Sequence, residues 1–203
     1  MPAFANSTVT DQVTILILGD SLTAGYGLEQ ENSFPVQLER SLRTSGYSVR
    51  VINAGVSGDT SAGGLSRLEW ALDDQPHIVV VELGANDALR GLDPAQTYAN
   101  LDQIIKRLKS SGCIVVLAGM RAPRNLGAEY YEEFDQIYPD LAKVYNLLFY
   151  PFFLEGVATD PDLNQTDGMH PNAAGVGLIV KGIQPLIIKA LERVKESGLP
   201  LER

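Results

Sequence analysis

His77-Ile78-Val79-Val80-Val81-Glu82-Leu83 and Cys113-Ile114-Val115-Val116-Leu117-Ala118 are nearly unbroken runs of apolar, mostly branched residues. A strand with one wet face alternates apolar and polar side chains, whereas a strand covered on both faces reads as a continuous run. The two stretches therefore predict central strands of a parallel sheet with helices on either side. Working outward, Val13 to Leu18, Val49 to Ile52 and Leu147 to Phe152 read as further strands. Helical periodicities lie between them. Phe34, Leu38 and Leu42 fall at i, i+4 and i+8 in a helix from Phe34 to Ser45, capped by Asn32 or Ser33. Leu65, Leu68 and Leu72 mark a helix from Ser61 to Leu72. Pro94, just after Asp93, opens another to Lys109 with Leu101, Ile104, Ile105 and Leu108 inward. Glu129 to Val144 is read as helical, as is Asn172 to Val194, with a bend at Pro185. This alternation is the pattern of an α/β fold.

The chain has 203 residues, 45% hydrophobic and 20% charged, a globular composition. It shows no linker, repeat or low-complexity tract, so residues 1–203 are expected to form a single domain, with 1–12 a poorly ordered N-terminal segment. The 25 acidic against 16 basic residues leave a net charge of −9. That argues against nucleic acid as a partner, which needs a basic footprint, and against adsorption to anionic membranes. No apolar run approaches the ~18 residues of a bilayer span, so no integral membrane association is expected. One cysteine and two histidines leave little for a thiolate or histidine metal site, and neither metal nor cofactor is expected. Two readings of Met1 to Ser7 stay open. Ala3-Phe4-Ala5 has the small-x-small form of an export cleavage site kept behind a new Met; alternatively the stretch is an unstructured cytosolic start. Compartment and oligomeric state are not read from the sequence.

In open parallel sheets, ligands sit beyond the carboxyl ends of the strands. The segments there are Gly19-Asp20-Ser21-Leu22, Asn53 to Thr60, Gly84-Ala85-Asn86-Asp87 and, before the last helix, Asp167-Gly168-Met169-His170-Pro171. Read singly, each has a plain explanation. Ser21 suits a helix cap, Asn86-Asp87 a turn, and Asp167 a cap on the helix opened by His170-Pro171. Together, in order, they resemble the four blocks of the GDSL, or SGNH, hydrolases. Gly84 to Leu92, Met120-Arg121-Ala122-Pro123 and Phe152-Phe153-Leu154-Glu155 are similar to the bacterial thioesterase I, lysophospholipase L1 and arylesterase subgroup. The resemblance spans about residues 13 to 190.

That resemblance implies a three-layer α/β/α sandwich around a flavodoxin-like five-stranded parallel sheet of order 2-1-3-4-5. It implies a serine esterase acting on a small-molecule ester or thioester. Ser21 would be the nucleophile, His170 the base and Asp167 its orienting carboxylate. The backbone N–H groups of Ser21 and Gly58 and the carboxamide of Asn86 would form the oxyanion hole. His77, at the amino end of its strand, reads as structural, and Asp20 as bonded to nearby backbone. Ser57 lacks a motif, and Cys113 reads as core. No phosphate loop, dinucleotide fingerprint, zinc helix or G-x-S-x-G elbow occurs. The loops at Ala24 to Asn32, Leu89 to Pro94 and Arg121 to Tyr131 are expected to frame the cleft. Tyr26, Leu28, Leu89, Leu92 and Leu126, with Tyr130 and Tyr131, would meet an acyl or aryl group. Arg90, Arg121 and Arg124 either meet an anionic head or are solvated and paired with local acids. Two alternatives remain: a carbohydrate O-acetylesterase, or an inactive fold kept as a binding module.

Overall fold

Five strands form where the branched runs fall: β1 (Val13–Gly19), β2 (Val49–Gly55), β3 (Ile78–Glu82), β4 (Ile114–Ala118) and β5 (Leu148–Tyr150). All pairings are parallel, in the order β2-β1-β3-β4-β5. The computed structural model describes residues 12–197. The Ala3-Phe4-Ala5 stretch and nearly all of the 1–12 segment lie outside the described residues. Every residue of β3 is buried, as a strand sandwiched between two helical layers must be. The edge strand β2 is buried only in part.

The helices are α1 (Ser21–Ala24), α2 (Phe34–Thr44), α3 (Ser61–Ser66), α4 (Leu68–Leu72), α5 (Ala85–Leu89), α6 (Pro94–Ser110), α7 (Ala128–Tyr145) and α8 (Ala173–Ser197). On one face α2 packs on α8 and β2, and α8 also reaches β3, β4 and β5. On the other face α3 packs on α6, and α6 on α7 and β4. Phe34, Leu38 and Leu42 of α2 are fully buried. Each contributes about 1.5–3 kcal/mol by leaving water.

One helix differs from the sequence expectation. The leucine period of 61–72 continues across Arg67, but the backbone does not, since Arg67 sits at φ −106°, ψ 9° between α3 and α4. Its guanidinium is the reason. Nε donates to Asp59 Oδ2 at 2.6 Å, Nη1 to the Ala54 carbonyl at 2.8 Å and Nη2 to the Gly19 carbonyl at 2.9 Å. Of the three leucines only Leu68 is fully buried. α8 runs unbroken through Pro185, which lies on its solvent face. By length and composition α8 is apolar enough to cross a membrane, although Lys181 and Lys189 interrupt its apolar runs. Here its apolar stripe, Val176, Ile179, Ile183, Ile187 and Leu191, is buried against the sheet and α2.

His77 lies at the amino end of β3, where its Nδ1 accepts the Thr14 N–H at 3.0 Å. Cys113 is buried and its Sγ donates to the Pro76 carbonyl at 3.3 Å. Both belong to the end of the sheet away from the segments that carry Ser21 and Asn86.

Candidate active site

Because the strands are parallel, their carboxyl ends share one rim, and the strand order reverses there between β1 and β3. Ser21 begins α1 directly beyond β1. Asp20 caps that short turn, Oδ1 accepting the Leu22 N–H at 2.9 Å. The histidine comes from 149 positions further along the chain, in the turn before α8. Asp167 builds that turn: Oδ1 accepts the backbone N–H groups of Met169 at 2.9 Å and His170 at 3.0 Å. Its Oδ2 lies 2.7 Å from His170 Nδ1, and His170 Nε2 lies 2.9 Å from Ser21 Oγ. The backbone N–H bonds, then the imidazole, lower the Asp167 pKa to about 2. It is a carboxylate at neutral pH and can only accept, so neutral imidazole carries its proton on Nδ1. Nε2 is thereby left to accept the Ser21 hydroxyl.

Asn86, on α5 just past β3, lies across from this relay. Its Nδ2 donates to Asp20 Oδ2 at 3.0 Å and to the Asp59 carbonyl at 2.9 Å. Gly58 adopts φ +83°, a conformation that glycine enters without strain, and its carbonyl accepts Arg90 Nη2 at 2.7 Å. Below them, buried Asp87 accepts from the Ser61 N–H at 2.8 Å, the Ser61 hydroxyl and Thr97 Oγ1. This ties α3 to α5 and α6. Asp20 is fully buried, and burial raises its pKa to about 6. Glu82 is buried behind it and is raised well above the ordinary carboxylate range, chiefly by burial and then by Asp20. Glu82 Oε2 accepts the Thr23 hydroxyl at 2.7 Å, while Oε1 has no hydrogen-bond partner among the described residues.

A cleft of about 550 Å³ opens beside Ser21, Asn86 and His170. Met120, Phe152, Leu154 and Ala158 contribute apolar wall, with Leu22 at its base. Of the side chains expected to bind substrate, Leu89, Arg121 and Arg124 are on its lining. Tyr26, Leu28, Arg90, Leu92 and Leu126 are not. Tyr26 and Leu28 line a separate narrow crevice beside His170. Arg90 holds the Gly58 loop, the Leu92 carbonyl accepts the Tyr130 hydroxyl at 2.8 Å, and Leu126 is surface-exposed. The arginines have local partners: Arg121 lies 3.7 Å from Glu155 and over the Phe152 ring, and Arg124 lies 2.7 Å from Asp135 and over Tyr131. Met120, Phe152 and Leu154 follow β4 and β5, so extending the strand-end rule to those strands would have found them.

Residues 17–178 match the GDSL-like Lipase/Acylhydrolase family. The chain belongs to that family. An arylesterase of Vibrio mimicus is 42% identical over 178 residues, covering 87% of this chain and 89% of that protein. Thioesterase 1/protease 1/lysophospholipase L1 of Escherichia coli K12 is 42% identical over 179 residues, 86% of this chain and 85% of that protein. Among solved structures, the SGNH-hydrolase family esterase AlinE4 is 51% identical with a TM-score of 0.75, covering 89% of this chain and 97% of that one. In this GDSL-like hydrolase fold, Ser21, Asn86 and His170 line one cleft, with Asp167 bonded to His170. The bond from Asn86 to Asp20 joins residues 66 positions apart and has no local signature in the sequence.

Proposed function

We propose that this chain is a serine esterase that hydrolyses acyl or aryl carboxylic esters, and acyl thioesters, through an acyl-enzyme. Residues 1–203 are read as a single hydrolase domain. The observation that carries the reading is the hydrogen-bonded line Asp167–His170–Ser21, 2.7 and 2.9 Å long. His170 Nε2 takes the Ser21 proton as Oγ bonds to the acyl carbon. The carbonyl oxygen becomes an oxyanion, met by the N–H groups of Ser21 and Gly58 and by Asn86 Nδ2. To donate there, the carboxamide must release or share a hydrogen now held by Asp20 or Asp59. Collapse breaks the bond to the alcohol or thiol, which leaves with the proton from Nε2. Water, giving a proton to His170, then attacks the acyl carbon; the second collapse frees the acid and returns the proton to Ser21.

The wall of Met120, Phe152, Leu154 and Ala158, with Leu89 at the rim, suits the apolar part of a small-molecule ester. Since Arg121 and Arg124 lie beside Glu155 and Asp135, neither is a committed anion receptor. A fluorophosphonate is expected to label Ser21, and Ser21→Ala to abolish hydrolysis of p-nitrophenyl esters, acyl-CoAs and lysophospholipid alike. Full activity in Ser21→Ala would overturn the reading.

A further inference from the structure

The reaction scheme leaves one contact of the base unused. The ring centroid of Tyr26 lies 4.7 Å from that of His170, with 38° between the planes. Backbone bonds hold it there from both sides. The Tyr26 N–H donates to the Ser21 carbonyl at 3.1 Å, which anchors the ring to the nucleophile's own turn. Gln165 Nε2 donates to the Tyr26 carbonyl at 2.8 Å, and the Gln165 N–H donates to the His170 carbonyl at 2.7 Å. A single residue thus clips the Tyr26 turn to the histidine turn. The clip crosses Gly27, at φ +73°, where a Cβ would come within 2.1 Å of Gln165 Oε1. The imidazole is therefore held at Nδ1 by Asp167, at Nε2 by Ser21 and on its ring by Tyr26.

We propose that Tyr26, clipped in place by Gln165, is a positioning residue whose ring supports His170 in its imidazolium form. The proposal rests on the reading of Ser21 and His170 as nucleophile and base. When Nε2 takes the serine proton the imidazole becomes a cation, and the negative face of an aromatic ring attracts a cation. The attraction is greater in the transition state than before it, which is the condition for raising kcat. The charged groups facing the imidazole are Asp167 on its own turn and Asp20 at the end of β1. Both favour the cation, and the ring adds to them from the turn after α1. Tyr26 is outside the lining of the main cleft, so the effect belongs in kcat and in pH dependence rather than in KM.

The test is the pH profile of kcat/KM, with kcat and KM on a p-nitrophenyl ester, for the full chain and for Tyr26→Phe, Tyr26→Leu and Gln165→Leu. Without the ring, Tyr26→Leu is expected to lose about three- to tenfold in kcat with KM little changed. Its acid limb is expected to move to lower pH by roughly half a unit, because the imidazolium is less favoured. Tyr26→Phe keeps the ring and restores both, and Gln165→Leu shifts both in the direction of Tyr26→Leu. Tyr26 is more than half exposed, so Tyr26→Leu is expected to melt near the parent temperature. A Tyr26→Leu protein with parental kcat and acid limb overturns the proposal, as does a loss in kcat with the limb unmoved, or a Phe variant as impaired as Leu. Fluorophosphonate labelling of the parent separates the two layers. A labelled parent with an indifferent Tyr26→Leu removes only this inference, whereas an unlabelled, inactive parent removes the nucleophile assignment beneath it.

Discussion

Asn86 commits both hydrogens of its carboxamide in this structure, one to Asp20 Oδ2 and one to the Asp59 carbonyl, so its geometry is set before any substrate arrives. Asn86→Ala is expected to lower kcat by about 10²–10³, the usual effect of removing one oxyanion donor. A change confined to KM would exclude that role. Asp167→Asn is expected to cost roughly 10³–10⁴ in kcat, because a carboxamide can donate to Nδ1 and favour the wrong tautomer. Ser21, Gly58, Asn86, Asp167 and His170 are proposed from four short blocks taken together, since each block alone has a plain structural explanation. Asp20 was half legible. Its bond to the Leu22 N–H is a local cap readable from the sequence, but its bond to Asn86 exists only because β1 and β3 pair in parallel.

At the scale of elements, Arg67 does what no helix could do in its place. Interrupting the α3–α4 stretch brings its fork to the carbonyl ends of β1 and β2, the strands that lead to Ser21 and Gly58. Arg67→Ala removes three hydrogen bonds and leaves the Asp59 carboxylate without its cation. The expected loss is about 2–4 kcal/mol, or roughly 5–15 °C in Tm for a chain of this size. Arg67→Lys should recover little, since one ammonium cannot span the three acceptors. A melting temperature within about two degrees of the parent would refute the argument. The strands were legible because β-branched runs report burial on both faces directly, and α2 and α6 because a 3.6-residue stripe needs only a core to face. The break at Arg67 was not, since the leucine spacing is blind to carbonyls contributed by two other strands. α8 shows the converse: its composition alone is compatible with a bilayer, and only its packing against α2, β4 and β5 accounts for its buried stripe.

Across the whole molecule, carboxyls with shifted pKa values couple folding to pH, Asp20, Glu82 and Asp167 among them. Asp20, raised from 3.8 to about 6, binds more protons folded than unfolded between those values, so stability declines as pH rises through them. Glu82, also raised by burial, carries the decline to higher pH. Asp167, lowered from 3.8 to about 2, acts oppositely: its stabilisation is complete above about 4 and is lost as pH falls towards 2. Urea midpoints are expected to fall from pH 4.5 to pH 8, with Glu82→Gln flattening the alkaline part; an unchanged slope in that variant would show that Glu82 is not its source. The sequence by itself determined the number and kind of strands and the inward faces of most helices, and its four blocks together pointed to the proposed site groups. Those properties follow from local periodicity and from short motifs, which a chain carries wherever it folds. The tertiary structure alone decided that Tyr26 meets His170, that Arg121 and Arg124 lie beside acids, that Asp20 holds Asn86, and which residues wall the cleft. Such contacts join positions from 11 to 144 residues apart, and sheet register and helix packing set the distances between them.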